Sequence, residues 1–455
     1  MERVRQNIAD KRIYQKEEYA WSAIRSTITG RIPGLHSMKI FDKLGLDIEG
    51  RWRKVDYDEA VLPGIASNAL REHDLPSKTS VYEILEWALS EYELPRQRDL
   101  QASFADPPLT VFSGLRFHID VYLWFEATTA IHQHGFCGAF QVLSGSSIHS
   151  WYTFESEKKI NIFAETGHLG LKVCELLEVG AVQEILAGPA YIHSLFHLDR
   201  PSATIVVRTH LSPLHQPQLS YLKPNLAIDP FFEQETVVKK MQLAAALIRA
   251  ENPRADEIIS GWLNETDFHT AYEILRSLHH LLASNQMDQI FGLDKGSERF
   301  QRFLTLAEQR HGSGVFREVF AFQDKENAVV RQRQLVSDPE QRFFIALLLN
   351  VPDRGRIFEM IRQRYPDAEP LDKVLDWVYD LANTRVAGSE KSNVLGIADF
   401  GDIDLFVLEQ ILRAKSGAEI AAAFEAENGR PDESHDLAGR EARIRSAPLF
   451  AALLS

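Results

Sequence analysis

The sequence predicts an α+β multi-domain protein, with a central antiparallel β-barrel between an N-terminal helical segment and a C-terminal α-helical domain. Three observations predict this. Apolar residues recur three and four apart early in the chain, alternate in short runs between about residues 105 and 215, and return to the helical period afterwards. Glycine and proline separate the short runs, at Gly145, Gly167, Gly170, Gly180, Gly188, Pro189 and Pro201. The 455 residues suffice for two or three domains with a large core. The expected units are 1–104, 105–215 and 216–455.

Within 1–104 the clearest element is SVYEILEWALSEYEL. Ser80 and Glu83 fit a capping box, and Val81, Ile84, Leu85, Ala88 and Leu89 form one apolar stripe. No chemistry is visible there, so these helices are expected to pack on the next domain. From about Pro108 to Pro213 the runs LTVFSGL, RFHIDVYLWFEA, GAFQVLSGSSIHSWYTFE, LKVCELLEVGAVQEIL, AYIHSLFHL and SATIVVRTHL read as strands. Many short strands with turns between them indicate an antiparallel sandwich or barrel. The stretch LLEVGAVQEILAGPAYIHS reads as strand, Gly turn, strand, Gly-Pro turn and strand, the last carrying His193.

From about Asp229 the segments VVKKMQLAAALIRAE, ADEIISGWLNE, FHTAYEILRSLHHLLAS, ERFQRFLTLAEQR, VFREVFAF, QRFFIALLLNV, RGRIFEMIRQRY and LDKVLDWVYDLA read as helices of a bundle. Ser337 is the expected cap of the FFIALLL helix, with Pro339 in the first turn and Glu340 three residues on. The last 40 residues are polar and expected to be loosely held, with an apolar terminus, APLFAALLS, that docks. No fixed repeat period is evident.

Composition narrows the function classes. A formal net charge of −14 argues against a general nucleic-acid or anionic-membrane binder, which needs a basic surface. The arginines of 331–334 and 354–364 therefore read as solvated helix faces. Cys137 and Cys174 are too few for a disulfide framework, which suggests a reducing cytoplasm. The first 20 residues are charged and lack the apolar core of a signal peptide, and no run approaches the ~18 apolar residues of a membrane span.

The chemistry concentrates in TTAIHQHGFCGAFQVLSG. Residues two apart on a strand share a face, so His132 and His134 would point into one space, where one metal ion can bind both rings. An apolar strand (Val121 to Phe125) and a turn at Thr128-Thr129 precede the pair, and a strand follows it. His193 lies on a later strand, 59 residues after His134. Packed, hydrogen-bonded core histidines are the alternative.

The H-x-H pair, the glycine after the next strand and the later G-x-x-x-x-H resemble the two motifs of a cupin barrel. RFHIDVYLWFEATTAIHQHGFCGAFQVLSG and GPAYIHSLFHLDRPSATIVVRTHLSP are most similar to the three-histidine thiol dioxygenases, the cysteine dioxygenase-like branch. The resemblance covers about 100 residues. It implies an Fe(II) site of His132, His134 and His193, with O2 and a small-molecule substrate, a thiol or other anionic donor, at the open positions. The usual cupin carries an acidic ligand after the second histidine; here those positions are Gly138 and Ala139.

Other features depart from the branch. Its carboxylate-binding arginine has no equivalent in ASFADPPLTVF, leaving Arg116 and Arg208 as the nearest substitutes or as surface residues. Its last-strand tyrosine is missing, and VVRTHLSP offers His210 instead. Cys137 is offset by one position from the branch's cross-linking cysteine, so no cross-link is expected. His197 and Tyr191 share the strand face of His193, and with His210 they are the candidates for positioning substrate. His149 is a further residue that can face inward. The helical half shows no HExxH or paired Glu-x-x-His motif, so a second metal site is not expected.

The reading is a mononuclear non-haem Fe(II) dioxygenase without nucleic-acid or membrane partners. Its helical additions would roof the barrel and admit a substrate larger than cysteine. Two rivals are a non-oxidative metal-dependent cupin enzyme, such as an isomerase or hydrolase, and a ligand-sensing protein whose helical domain mediates interactions. The sequence leaves oligomeric state open.

Overall fold

The computed structural model describes residues 37–102, 104–125, 130–231, 234–283, 295–312, 314–384, 393–429 and 435–455. The charged N-terminal stretch, the Thr128-Thr129 turn and part of the polar C-terminal stretch (430–434) lie outside the described residues.

Among the described residues, eleven strands form two sheets at the centre of an α+β multi-domain chain. One has the order β1 (Pro108–Ser113), β2 (Phe117–Trp124), β9 (Ser202–Thr209), β4 (Gly138–Ser144) and β7 (Val182–Ile185). The other closes on itself as a six-stranded barrel: β10 (Ser220–Leu222), β11 (Leu226–Ile228), β6 (Ala164–Leu177), β5 (Ser147–Asn161), β8 (Gly188–His197) and β3 (His132–His134). Neighbouring strands pair antiparallel in both sheets.

Strand β2 shows how the layers are specified. Every residue of FHIDVYLW is buried. Phe117, Ile119, Val121 and Leu123 join one core with α1 (Ser37–Arg53), α2 (Leu62–His73) and α3 (Val81–Ser90). The alternate residues His118, Asp120, Tyr122 and Trp124 lie on the opposite face, where Tyr122 and Trp124 pack with Phe136, Phe140, Tyr191 and Leu195. Period two thus sends apolar side chains to the helices and polar or aromatic ones to the interior. The α3 capping box is present, with both the Ser80 and Glu83 bonds made. The stripe on α3 differs by one residue: Leu89 is 88% exposed, and Trp87 is buried with Val81 and Ile84.

The barrel runs past the expected end at residue 215, because β10 and β11 complete it as far as Ile228. Each has only three residues, too few to show a period. The C-terminal helices have two cores, where one bundle was expected. Helices α4 (Glu235–Arg249), α5 (Ala255–Glu265), α6 (Phe268–Ala283) and α7 (Lys295–His311) pack with Leu226 and Ile228. Helices α9 (Pro339–Asn350), α10 (Arg354–Arg364), α11 (Pro370–Asn383) and α12 (Asp402–Leu412) pack with Ile148, Leu176 and Phe196 of the barrel wall. Helix α8 (Val315–Gln334) contributes Phe320 to the first core and Val329 to the second.

Three further expectations change. Asp338, not Ser337, caps α9, accepting from the Glu340 and Gln341 backbone N–H groups. The C-terminal stretch forms α13 (Gly417–Asn428) and α14 (Leu437–Ser446) where loose chain was expected; Asp404 accepts from Arg440 and Arg443 there. The apolar terminus does dock, with Leu449, Phe450 and Leu453 buried. Arg333, read as solvated, is buried; it donates to the His197 carbonyl at 3.3 Å and stacks over Phe196. It therefore ties the end of β8 to the helical half.

Candidate metal centre

Strand pairing brings the three expected ligands together. His132 on β3 lies opposite His193 on β8 across an antiparallel pair, and His134 follows two residues along. All three are buried. Their ring centroids are 4.6 Å (His132–His134), 4.9 Å (His132–His193) and 4.8 Å (His134–His193) apart. One ligand nitrogen from each lies within 4.8 Å of the others, so the group can hold a metal ion.

The donor chemistry fits such an ion. His132 Nδ1 lies 2.7 Å from the Ala130 carbonyl, to which it donates, so the neutral ring has a bare Nε2. That Nε2 is 3.2 Å from His134 Nε2. Two imidazoles on one ion at ~2.1 Å place their nitrogens roughly 3–3.5 Å apart at tetrahedral or square angles. Burial lowers the pKa of all three rings, most for His134 and His193, and keeps them in the neutral ligand form. At the two positions where a cupin's acidic ligand would stand, β4 offers none. A Cβ on Gly138 would sit 1.9 Å from the Val207 carbonyl oxygen, and Ala139 packs with the N-terminal helices.

Arg208 occupies the adjoining interior. Its guanidinium carbon lies 3.4 Å over the Phe136 ring, which is itself 4.6 Å from the His134 ring. It donates to the Tyr122 hydroxyl at 3.3 Å, while its Nε is buried without a partner. Among the described residues no carboxylate lies within ion-pair distance of it, although Asp120 is near enough to feel its charge. After burial, the Arg208 charge also helps lower the His132 and His134 pKa values. Burial pushes the Tyr122 phenol up to about 12, so it stays a neutral partner. Phe104 closes the side of His132, at 6.0 Å between centroids, and packs on Tyr122 and Trp124. Arg116, the other candidate, is exposed and stacks over Tyr57.

Tyr191 joins the cluster, its ring centroid 4.5 Å from that of His193. His149 does as well, at 5.5 Å. The structure does not bring His197 or His210 to it. His197 stacks on Trp124 at 4.5 Å and meets the Ser202 hydroxyl at 2.9 Å. It shares the face of His193, but four strand residues amount to roughly 13 Å. His210 is engaged by His118, Arg98 and the Gly114 carbonyl. Cys137 points into the N-terminal helical core and bonds the Glu59 carbonyl. Sequence reasoning missed Tyr122 and Glu175, and left Arg208 undecided. The alternation in H-x-D-x-Y-x-W and T-x-V-x-R was the available signal.

His197 gives a test of burial. Desolvation pushes its pKa down to about 3, against ~6.5 in an unfolded chain. The unfolded state therefore binds a proton that the folded state refuses. Stability is full above ~6.5 and falls as the pH drops below that value, by about 2 kcal/mol at pH 5 for this one group. His197→Asn is expected to lose about 2 kcal/mol less than the wild type between pH 7 and pH 5, measured by urea unfolding. An identical pH dependence would show that His197 is not buried neutral.

No known family profile matches the chain, and no curated protein matches it. Solved structures similar in part include the following two. A chain from the crystal structures of the DMSP lyases RdDddP and RnDddQII is 13% identical, with a TM-score of 0.24 over 41% of this chain and 99% of that one. The capsular polysaccharide assembling protein CapF from Staphylococcus aureus is 15% identical, with a TM-score of 0.16 over 32% of this chain and 41% of that one. Neither likeness is close enough to bear on activity. The closed six-stranded barrel and its three-histidine cluster fit a cupin fold on their own geometry. Among the described residues, no helix is long and apolar enough to cross a membrane.

Proposed function

We propose that the barrel is the centre of a metal-dependent cupin enzyme, a mononuclear non-haem Fe(II) dioxygenase of the three-histidine, cysteine dioxygenase-like kind, which oxidises a thiol or other small anionic substrate with O2. The observation that carries this reading is a buried, neutral donor set of His132, His134 and His193 with Arg208 beside it. Neutral ligands leave the charge of a divalent ion uncompensated, so the centre favours an anionic partner. When bound, iron would supply Lewis acidity and one-electron chemistry towards O2.

The chain's own residues divide the remaining work. Arg208, aimed by Tyr122 and the Phe136 face, would hold the anionic end of the substrate. Phe104, Trp124 and Phe140 would exclude water, and a low dielectric strengthens the Arg208 contact. Tyr191 would contact the ligand beside His193. His132 is held in its ligand tautomer by the Ala130 carbonyl. The proposal keeps the protein in the cytoplasm, with O2 and a small molecule as partners and neither nucleic acid nor membrane.

Oxygen uptake tests the redox half. Iron-reconstituted protein is expected to consume O2 in proportion to an added small thiol or anionic substrate. Product formed without O2 would leave a non-oxidative metal enzyme, such as an isomerase or hydrolase. Unchanged activity in His132→Ala would overturn both.

A further inference from the structure

A hydrogen-bonded chain crosses the barrel wall beside the histidine cluster. The Tyr191 hydroxyl lies 2.9 Å from His149 Nε2, and His149 Nδ1 lies 2.8 Å from Glu175 Oε1. The same Glu175 oxygen accepts from Gln183 Nε2 at 3.0 Å. His149 and Tyr191 are almost wholly buried, whereas the Glu175 side chain is 40% exposed. Pairing of β5 with β6 puts His149 directly opposite Glu175. The chain thus begins at a ring packed on His193 and ends where solvent reaches.

We infer that Glu175 is a positioning residue: through His149 it fixes the direction of the Tyr191 hydrogen, so that Tyr191 can only accept a hydrogen bond from a ligand at the histidine cluster. The reason is proton accounting. A neutral imidazole has one N–H. Glu175 is a carboxylate, its pKa lowered chiefly by the His149 bond, and can only accept. It therefore claims the N–H at Nδ1. His149 Nε2 is then bare and takes the Tyr191 hydrogen, leaving the phenol oxygen with acceptor capacity alone. The fitting ligand carries an O–H or N–H donor near its metal-binding atom. This consequence for ligand choice rests on the metal-centre reading; the tautomer itself does not.

The first measurement uses metal-free, 15N-histidine-labelled protein, with His149 assigned by its loss in His149→Gln. Long-range 1H–15N correlation is expected to show the Nδ1–H tautomer of His149. Glu175→Gln retains an acceptor and is expected to keep that tautomer. Glu175→Leu is expected to shift the ratio at least about tenfold towards Nε2–H, because only Tyr191 remains as a partner. A wild-type Nε2–H or doubly protonated ring would overturn the proposal, as would an unchanged tautomer in Glu175→Leu. If that variant does not fold, loss of the Nδ1–H form in Glu175→Gln is contradictory as well.

The second measurement follows the visible spectrum of Co(II)-loaded protein titrated with 2-mercaptoethanol and with ethanethiol. The hydroxyl-bearing thiol is expected to bind at least about fivefold tighter, and Glu175→Leu to lose that preference. Equal affinities in the wild type would overturn the donor requirement. Failure to bind Co(II) at all would sink the metal-centre reading and leave the tautomer result standing.

Discussion

His193→Ala is expected to lower the affinity for a divalent transition-metal ion by at least about 100-fold, more than the tenfold to 100-fold typical of losing an outer partner. His193 is the only one of the three histidines contributed by β8, and its ring stands within 4.9 Å of both other rings. Removing it leaves two nitrogens on one short strand, a pair that cannot enclose an ion. The control is His197→Asn on the same strand face. His197 touches Trp124 and Ser202, with no described contact to the cluster, and its replacement is expected to leave metal affinity within about twofold. Isothermal titration with Co(II) reads both variants. Equal losses would show that the ion sits further along β8 than the cluster geometry places it.

Arg208→Met is expected to weaken binding of an anionic ligand by roughly 30–100-fold, about 2–3 kcal/mol, as for a hydrogen bond to a charged group. Methionine keeps much of the length and the contact with Phe136 but removes the charge. The variant is not expected to lose stability. The Arg208 Nε is buried without a partner, so removing the guanidinium also removes an unsatisfied donor. The measurement is the rise in Tm of the metal-free protein on adding sulfate or a short carboxylate. The wild type is expected to respond and the variant not to. An equal shift in both would place the anion elsewhere and leave Arg208 a packing residue.

Much of this centre was legible because a strand's period fixes which side chains share a face. The two-residue spacing of His132 and His134, and a third histidine after a Gly-Pro turn, were enough to nominate the cluster. The missing acidic residue was equally visible, and at Gly138 the close approach of Val207 leaves no room for a side chain. The period of a strand does not report distance along it, which is what separates His197 from His193. Sharing a face is necessary for a common site, but four residues of rise separate the two rings.

Cross-strand register hid the rest. Glu175 is unremarkable in LKVCELLEV until β6 is set against β5 and brings it opposite His149. Arg208 stood on an alternating strand whose inward face was undecidable without the partner sheet. Strand β9 pairs with β2 and β4, which turns Arg208 towards Tyr122 and Phe136. The strands β10 and β11 are too short to carry a pattern, so the barrel's last edge was read as the start of the helical half. Local signals did better where they were self-contained. The Ser80 capping box and the docking of Phe450 both needed only a few neighbouring residues.

The measurement that bears most directly on the central claim is X-ray absorption at the metal edge of protein reconstituted with one equivalent of Fe(II) or Co(II). The predicted result is one ion per chain, with the outer-sphere scattering of three imidazoles in its coordination shell. A spectrum with fewer than three imidazoles, or with protein carboxylate in their place, would contradict a centre built from His132, His134 and His193.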